Sequence, residues 1–350
     1  MRAMLLRRIV SLADVAAPLE LAEIPTPEPQ RGEVLLRVAV CGVCHTELDE
    51  IEGRAAPPRL PVVPGHEVVG RVERRGEGVT KLNLGDRVGV GWIHSSTGLP
   101  DENLSPRFRA TGRDVDGGYA EFMTVPEDYA HIIPEALSDE EAAPLLCAGA
   151  VGYRALRLAN LADGERLGLT GFGGSAHLVL QLVRHRFPRT GVYVFARDAA
   201  ARRFALDLGA AWAGDTTDRA PEPLHAIIDT TPAWLPVVEA LKNLLPGGRL
   251  VINAIRKEEA DKRSLLDLSY HEHLWLEREI KSVANVTGPD IREFLRVAAE
   301  IPLRPEVQRY RLEDANRALL ELERGPVRGA KVLVVGLALD SLEVQGVRVE

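Results

Sequence analysis

The sequence predicts an α/β protein: a β-rich unit of short strands, interrupted by a doubly wound parallel sheet with helices on both faces. Three observations predict it. Up to about residue 135, short apolar or alternating runs are punctuated by proline and glycine, the pattern of small hairpins. From about residue 155, short strands and helices follow one another in turn, which is how the βαβ units of a parallel sheet read. The tail changes again, to two amphipathic helices and a final strand.

In chain order, "GEVLLRVAVCGV" (32–43), "HEVVGRVERRGEGV" (66–79) and "LGDRVGVGW" (84–92) are the strand candidates of the first unit. "PPRLPVVPGHE" (57–67), rich in proline and glycine, is a connecting loop. The second unit opens with the strand "RLGLTGF" (166–172). The helix "SAHLVLQLVRHRF" (175–187) follows, with apolar residues at helical spacing, and then the strand "GVYVFA" (191–196). "AAARRFALDLGA" (199–210) is a helix stopped by glycine, and "HAIIDTT" (225–231) is a strand. "WLPVVEALKNL" (234–244) is a helix closed by "PGG", ahead of the strand "RLVINA" (249–254). "DIREFLRVAAEI" (290–301) and "RLEDANRALLELERG" (311–325) are the helices of the tail, and "GAKVLVVG" (329–336) is its strand. The predicted split is a discontinuous first domain, 1–153 plus 289–350, around a nucleotide-type domain at 154–288.

Composition narrows the function. The chain has 350 residues, a net charge of −8, 45% hydrophobic and 27% charged residues, as a folded globular protein does. A negative balance disfavours nucleic acid as a partner, because phosphate contacts need a basic footprint. No apolar run approaches the roughly 20 residues that cross a bilayer, and "MRAMLLRRIVSL" is too charged for a signal peptide. Three cysteines (Cys41, Cys44 and Cys147) make no disulfide framework and point to a reducing, cytoplasmic location.

"GFGGSA" reads G-x-G-G-x-A between a strand and a helix, with Gly171, Gly173, Gly174 and Ala176 in the key places. Gly171 permits the tight turn, Gly173 lets backbone approach a pyrophosphate, and Ala176 stays small where helix packs on sheet. In the βαβ context this predicts dinucleotide binding, with negative charge at the exposed N–H groups of the helix start. At the end of the next strand an acidic residue suits NAD and an arginine suits the 2′-phosphate of NADP. "VYVFARDAAARR" places Arg197 there and Asp198 one step later, with Arg202 and Arg203 one turn on, which favours NADP over NAD.

"CGVCH" (41–45), read alone, admits a c-type haem attachment, a thioredoxin-like pair, half a structural zinc cluster, or one ligand of something else. Cys44, His66 and Cys147 together offer two thiolates and an imidazole. That set gives zinc one open tetrahedral position, the catalytic rather than the structural pattern. Glu67, beside His66, either supports that set or supplies a transient fourth ligand.

The segments "CGVCHTE", "PGHEVVG", "GDRVGV", "DGGYAEF", "LLCAGAVGYRAL" and "GFGGSAH" stand in the order found in zinc-dependent medium-chain alcohol dehydrogenases, which the chain resembles over nearly its whole length. The resemblance implies a GroES-like catalytic domain with an inserted Rossmann domain. It also implies Cys44, His66 and Cys147 as ligands of the catalytic zinc, with the conserved glutamate at Glu67. Thr46 matches the hydroxyl that takes the substrate's proton, His45 a contact to cofactor phosphate, and Glu47 the acid that orients the ligating histidine. Cys41 is then a buried neighbour. The implied reaction moves hydride between an alcohol or aldehyde and NADP(H) or NAD(H), in a homodimer or homotetramer. "SVANVTGPDIREFLRVAAEIPLRPEV" and "VYVFAR" look closest to a bacterial branch related to cinnamyl-type enzymes, which suggests aromatic or medium-sized substrates. A zinc-dependent reductase of another carbonyl or a polyol is the rival reading, and a non-catalytic cofactor-binding protein the third.

Two departures modify the expectation. The lobe "GWIHSSTGLPDENLSPRFRATGRDVDGG" has no cysteine, where many relatives bind a second zinc through four. Thr97 and Ser105 fall near those places, so one zinc per chain is expected. Many relatives also carry a relay histidine three residues after Thr46. Here Asp49 stands in its place, so the proton either leaves through Asp49 or takes another route.

Overall fold

The computed structural model describes residues 1–301, 303, 305–324 and 329–336. The end of the predicted return segment, 337–350, lies outside the described residues, as do 302, 304 and 325–328. The chain divides into two compact units, the first Met1–Cys147, Thr287–Arg292 and Pro305–Glu350, the second Ala148–Val286 and Glu293–Arg304. The helix Gly288–Glu300 is thus shared between them.

The first unit is built on a seven-stranded, mainly antiparallel sheet. Its centre is the strand Glu33–Val43, which pairs antiparallel with Val68–Arg75, Phe122–Pro126 and Ala330–Val334. Val34, Leu35, Leu36 and Val38 of this strand are all buried, so nearly every position of the run is apolar rather than every second one. Two features of the strand position the candidate site. Its C-terminal end passes through Cys44 straight into the helix His45–Ile51. Its pairing of Cys41 with Val68 brings the preceding His66 and Glu67 alongside, and Gly42 N–H donates to the Glu67 carbonyl at 2.9 Å.

The second unit is a Rossmann-type sheet of six parallel strands. Across the sheet they are Trp212–Gly214, Gly191–Phe195, Arg166–Thr170, Leu224–Asp229, Leu244–Ile252 and Glu279–Ser282. Counted along the chain, the order is 3-2-1-4-5-6, the doubly wound arrangement with its switch point beside the first strand. Phe195, Leu224, Ile227, Val237, Leu241 and Leu250 form a buried cluster under one face. The fold class expected from the sequence is the one observed.

Several elements escape the sequence patterns, among them the helices Asp139–Pro144 and Ala150–Ala159, the strands Phe122–Pro126, Trp212–Gly214 and Val307–Arg311, and three more. The hairpin Arg2–Leu6 with Leu19–Glu23 begins the chain. The short helix His45–Ile51 carries residues buried all round its surface, so no amphipathic period marks it. The strand Glu279–Ser282 is exposed at every position, so nothing in "EIKS" alternates.

Candidate metal centre

Ligand-type atoms of Cys44, His66, Glu67 and Cys147 all lie within 4.8 Å of one another. Cys44 is the N-cap of the helix His45–Ile51. His66 and Glu67 come from the segment entering the strand Val68–Arg75. Cys147 sits in a π-helical turn, Leu145–Gly149, a distortion that re-aims a side chain within an otherwise helical run. Cys41 is free, fully buried and outside the cluster. That excludes it from any C-x-x-C pair with Cys44 as a joint ligand set.

One carboxylate organises two of these residues. Glu47 Oε2 accepts from the backbone N–H of Cys44 at 2.8 Å, and Glu47 Oε1 pairs with His66 Nδ1 at 2.5 Å. The ring is thereby fixed through Nδ1, which turns the opposite nitrogen toward the cluster. His66 Nε2 is buried and has no hydrogen-bond partner among the described residues. Cys44 Sγ and Cys147 Sγ are 4.0 Å apart, and two thiolates on one tetrahedral zinc stand roughly 3.8 Å apart. An orphaned imidazole nitrogen, two thiols at ligand spacing and a buried carboxylate fit a zinc ion.

The proton preferences follow. The Cys147 thiol shares its hydrogen bond with Cys44 Sγ and so holds the Cys44 thiol well below its usual range, against burial, with His66 helping. Cys147, on the other side of that bond, is pushed up. Burial works against a charged His66, but Glu47 and Cys44 outweigh it and raise the imidazole. Glu67 is raised by burial first and by Cys44 second. Its carboxylate packs over Gly42, where an added Cβ would meet Glu67 Oε2 at 1.8 Å.

The helix places the remaining candidates. Thr46 is buried, and its Oγ1 lies 3.7 Å from Cys44 Sγ. His45 is exposed on the first turn. Asp49 is buried and paired with Arg54 at 2.6 Å, which commits the carboxylate to a guanidinium.

In the second unit, Gly171 has φ of +75°, and a Cβ there would press on Thr231 Cγ2 at 2.9 Å, so glycine is required. Around Gly173 and Gly174 nothing lies within 4 Å of an added Cβ, which leaves the backbone open to a ligand ahead of the helix Ala176–Arg186. The next strand ends at Phe195, two residues before the exposed Arg197. Asp198 is spent as the N-cap of the helix Ala199–Asp207, its oxygens accepting from Ala200 and Ala201 N–H. Arg202 folds back onto the carbonyls of Ala196 and Arg197 and onto Asp215.

The lobe without cysteines has its own centre, which the sequence did not single out. Glu102 accepts from Gly98 N–H at 3.0 Å, Tyr129 O–H at 2.7 Å and Gly288 N–H at 2.7 Å. Thr97 and Ser105 serve turns instead, their hydroxyls accepting from Leu99 and Arg107 N–H.

Comparison with known proteins agrees with this geometry. Residues 30–135 match the family model described as the alcohol dehydrogenase GroES-like domain. The chain is 43% identical to the probable alcohol dehydrogenase AdhA of Mycobacterium tuberculosis over 91% of its length and 93% of that protein. It is 34% identical to an alcohol dehydrogenase of Geobacillus stearothermophilus, covering 91% and 96%. Among solved structures it resembles a cinnamyl alcohol dehydrogenase of Sorghum bicolor, with a TM-score of 0.78 and 27% identity over 95% of this chain and 97% of that one.

Proposed function

The chain belongs to the zinc-binding medium-chain dehydrogenase/reductase family, of alcohol dehydrogenase type, and from that premise we propose that it interconverts small primary alcohols and aldehydes, with one catalytic zinc and NADP(H) in preference to NAD(H). Family membership makes it an oxidoreductase of NAD(P)H-linked hydride transfer. The observation that carries the finer reading is the cluster of Cys44, His66, Glu67 and Cys147 with its orphaned His66 Nε2. Cys44, His66 and Cys147, with Glu67 at hand as an oxygen ligand, would hold the zinc, which would supply Lewis acidity at an alcohol or carbonyl oxygen.

The chain's own residues do the rest. Glu47 sets the His66 tautomer and anchors the Cys44 backbone, so two ligands hold one geometry. Thr46 Oγ1, beside Cys44 Sγ, takes the alcohol proton or returns it to the product. Asp49 as the next carrier has to compete with Arg54 for its carboxylate. Gly171, Gly173, Gly174 and Ala176 form the pyrophosphate turn.

Support for NADP comes from Arg197, exposed just past the strand, and from Asp198, whose oxygens already cap a helix. Support for a single zinc comes from Glu102, which holds the lobe through oxygen. Aromatic or medium-sized substrates fit the mutually tilted rings of Trp92 and Phe108, 5.6 Å between centroids, beside His66. Assembly as a homodimer or homotetramer fits the exposed edge strand Glu279–Ser282, and a cytoplasmic location fits the free cysteines.

The test is zinc per chain by elemental analysis after exchange into metal-free buffer, with Cys44→Ser alongside. One zinc, lost in the variant, together with faster aldehyde reduction by NADPH than by NADH, is the expected result. Two zincs in the parent protein defeat the reading of the lobe, and none in folded protein defeats the mechanism.

A further inference from the structure

One more acidic side chain is sealed beside the centre. Glu50 lies on the helix His45–Ile51, four residues past Thr46 and therefore on the same face. It is 1% exposed, and neither carboxyl oxygen has a hydrogen-bond partner among the described residues. The indole of Trp92 is its neighbour, and Trp92 Nε1 is likewise buried without an acceptor. The same indole meets the His66 ring edge-on, with centroids 6.4 Å apart, which ties the pair to the metal centre.

An acid and an N–H buried side by side, with neither completing a hydrogen bond of good geometry, destabilise the fold. A residue that only filled this space would be apolar. Burial first, then the charge of Glu47, push the Glu50 carboxyl well above the usual carboxylate range, so the group can donate as well as accept. A hydroxyl completes both partners at once, accepting from the indole N–H and exchanging a hydrogen bond with the carboxyl.

We propose that Glu50 and Trp92 form a hydroxyl-binding subsite, and that the preferred substrates carry a second hydroxyl next to the reacting carbon, as vicinal diols and 2-hydroxyaldehydes do. This rests on the alcohol dehydrogenase reading and names its substrate class. The hydroxyl belongs to the substrate, not to a fixed water.

The test compares 1,2-propanediol with isobutanol, in which a methyl replaces the second hydroxyl, using the zinc-loaded full-length enzyme and NADP. Taking the ratio of kcat/KM for the two alcohols in each variant, relative to the parent, cancels their intrinsic reactivity. The diol-to-isobutanol ratio is expected to fall at least about tenfold in Glu50→Leu and in Trp92→Phe, and to stay within about threefold in Glu50→Gln, which keeps the hydrogen bond. A ratio that neither Glu50→Leu nor Trp92→Phe moves overturns the subsite and assigns the hydroxyl to water. A second readout needs no turnover: the diol, but not isobutanol, should perturb the tryptophan fluorescence of the parent, and that difference should vanish in Trp92→Phe. If neither alcohol is oxidised, the dehydrogenase reading fails, and the fluorescence titration alone then decides the subsite. Equal response to both alcohols there overturns it.

Discussion

His66 and His131 are both buried histidines, and their surroundings push them in opposite directions. His66 is raised because Glu47 and Cys44 outweigh burial. For His131, burial first and the charge of Arg292 second push it down to about 3. His94, buried and near Arg109, is pushed down to about 4. A depressed histidine stabilises the fold fully above its unfolded value near 6.5 and gives that stability up as pH falls toward the folded value, at about 1.4 kcal/mol per pH unit and group. The protein should therefore lose urea resistance between pH 6.5 and pH 4, and His131→Gln should flatten that slope by roughly one proton's worth. Equal slopes in parent and variant would show that His131 already carries its proton when folded. The contrast also separates roles: a histidine lifted by an acid and a thiol is built to bind, and one lowered by burial beside an arginine is built to pack.

At the scale of elements, the lobe between the strands Arg87–Val90 and Phe122–Pro126 depends on one side chain. Glu102 is 1% exposed and joins a turn, a tyrosine and the start of the helix Gly288–Glu300. Glu102→Leu leaves buried N–H and O–H donors without acceptors and should destabilise by roughly 3 kcal/mol, read as a lower Tm; an unchanged Tm would mean that packing alone holds the lobe. This hub was not legible in "DENLSP", because a glutamate in a polar loop ordinarily faces water and only the fold reveals its three donors. The absence of lobe cysteines was legible, as were the glycine turn and the strand–helix alternation, because glycine at positive φ and apolar periodicity are local properties. The metal cluster was legible only as scattered residues; the pairing of Cys41 with Val68 and the turn at Leu145–Gly149 bring them together, and neither is local. Glu50 escaped notice for the same reason, standing among acidic neighbours in "ELDEIE" as an ordinary helix charge.

For the whole molecule, the six-stranded sheet ends in a strand with an open edge. Glu279–Ser282 hydrogen-bonds only toward Leu244–Ile252 among the described residues, with Ile280 41% exposed and Trp275 and Leu276 also outside. Such an edge is a template for pairing with a second copy. Light scattering should return a dimer or tetramer mass, and Ile280→Lys should shift it toward the monomer; a monomeric parent protein would remove the edge as an interface. The lobe has a different consequence for the life of the molecule. Because its clasp is carboxylate oxygen rather than thiolate, zinc starvation cannot loosen it and peroxide has no sulfur there to attack. Oxidation of sulfur would reach Cys44 and Cys147 in the candidate metal cluster while leaving this part of the scaffold untouched.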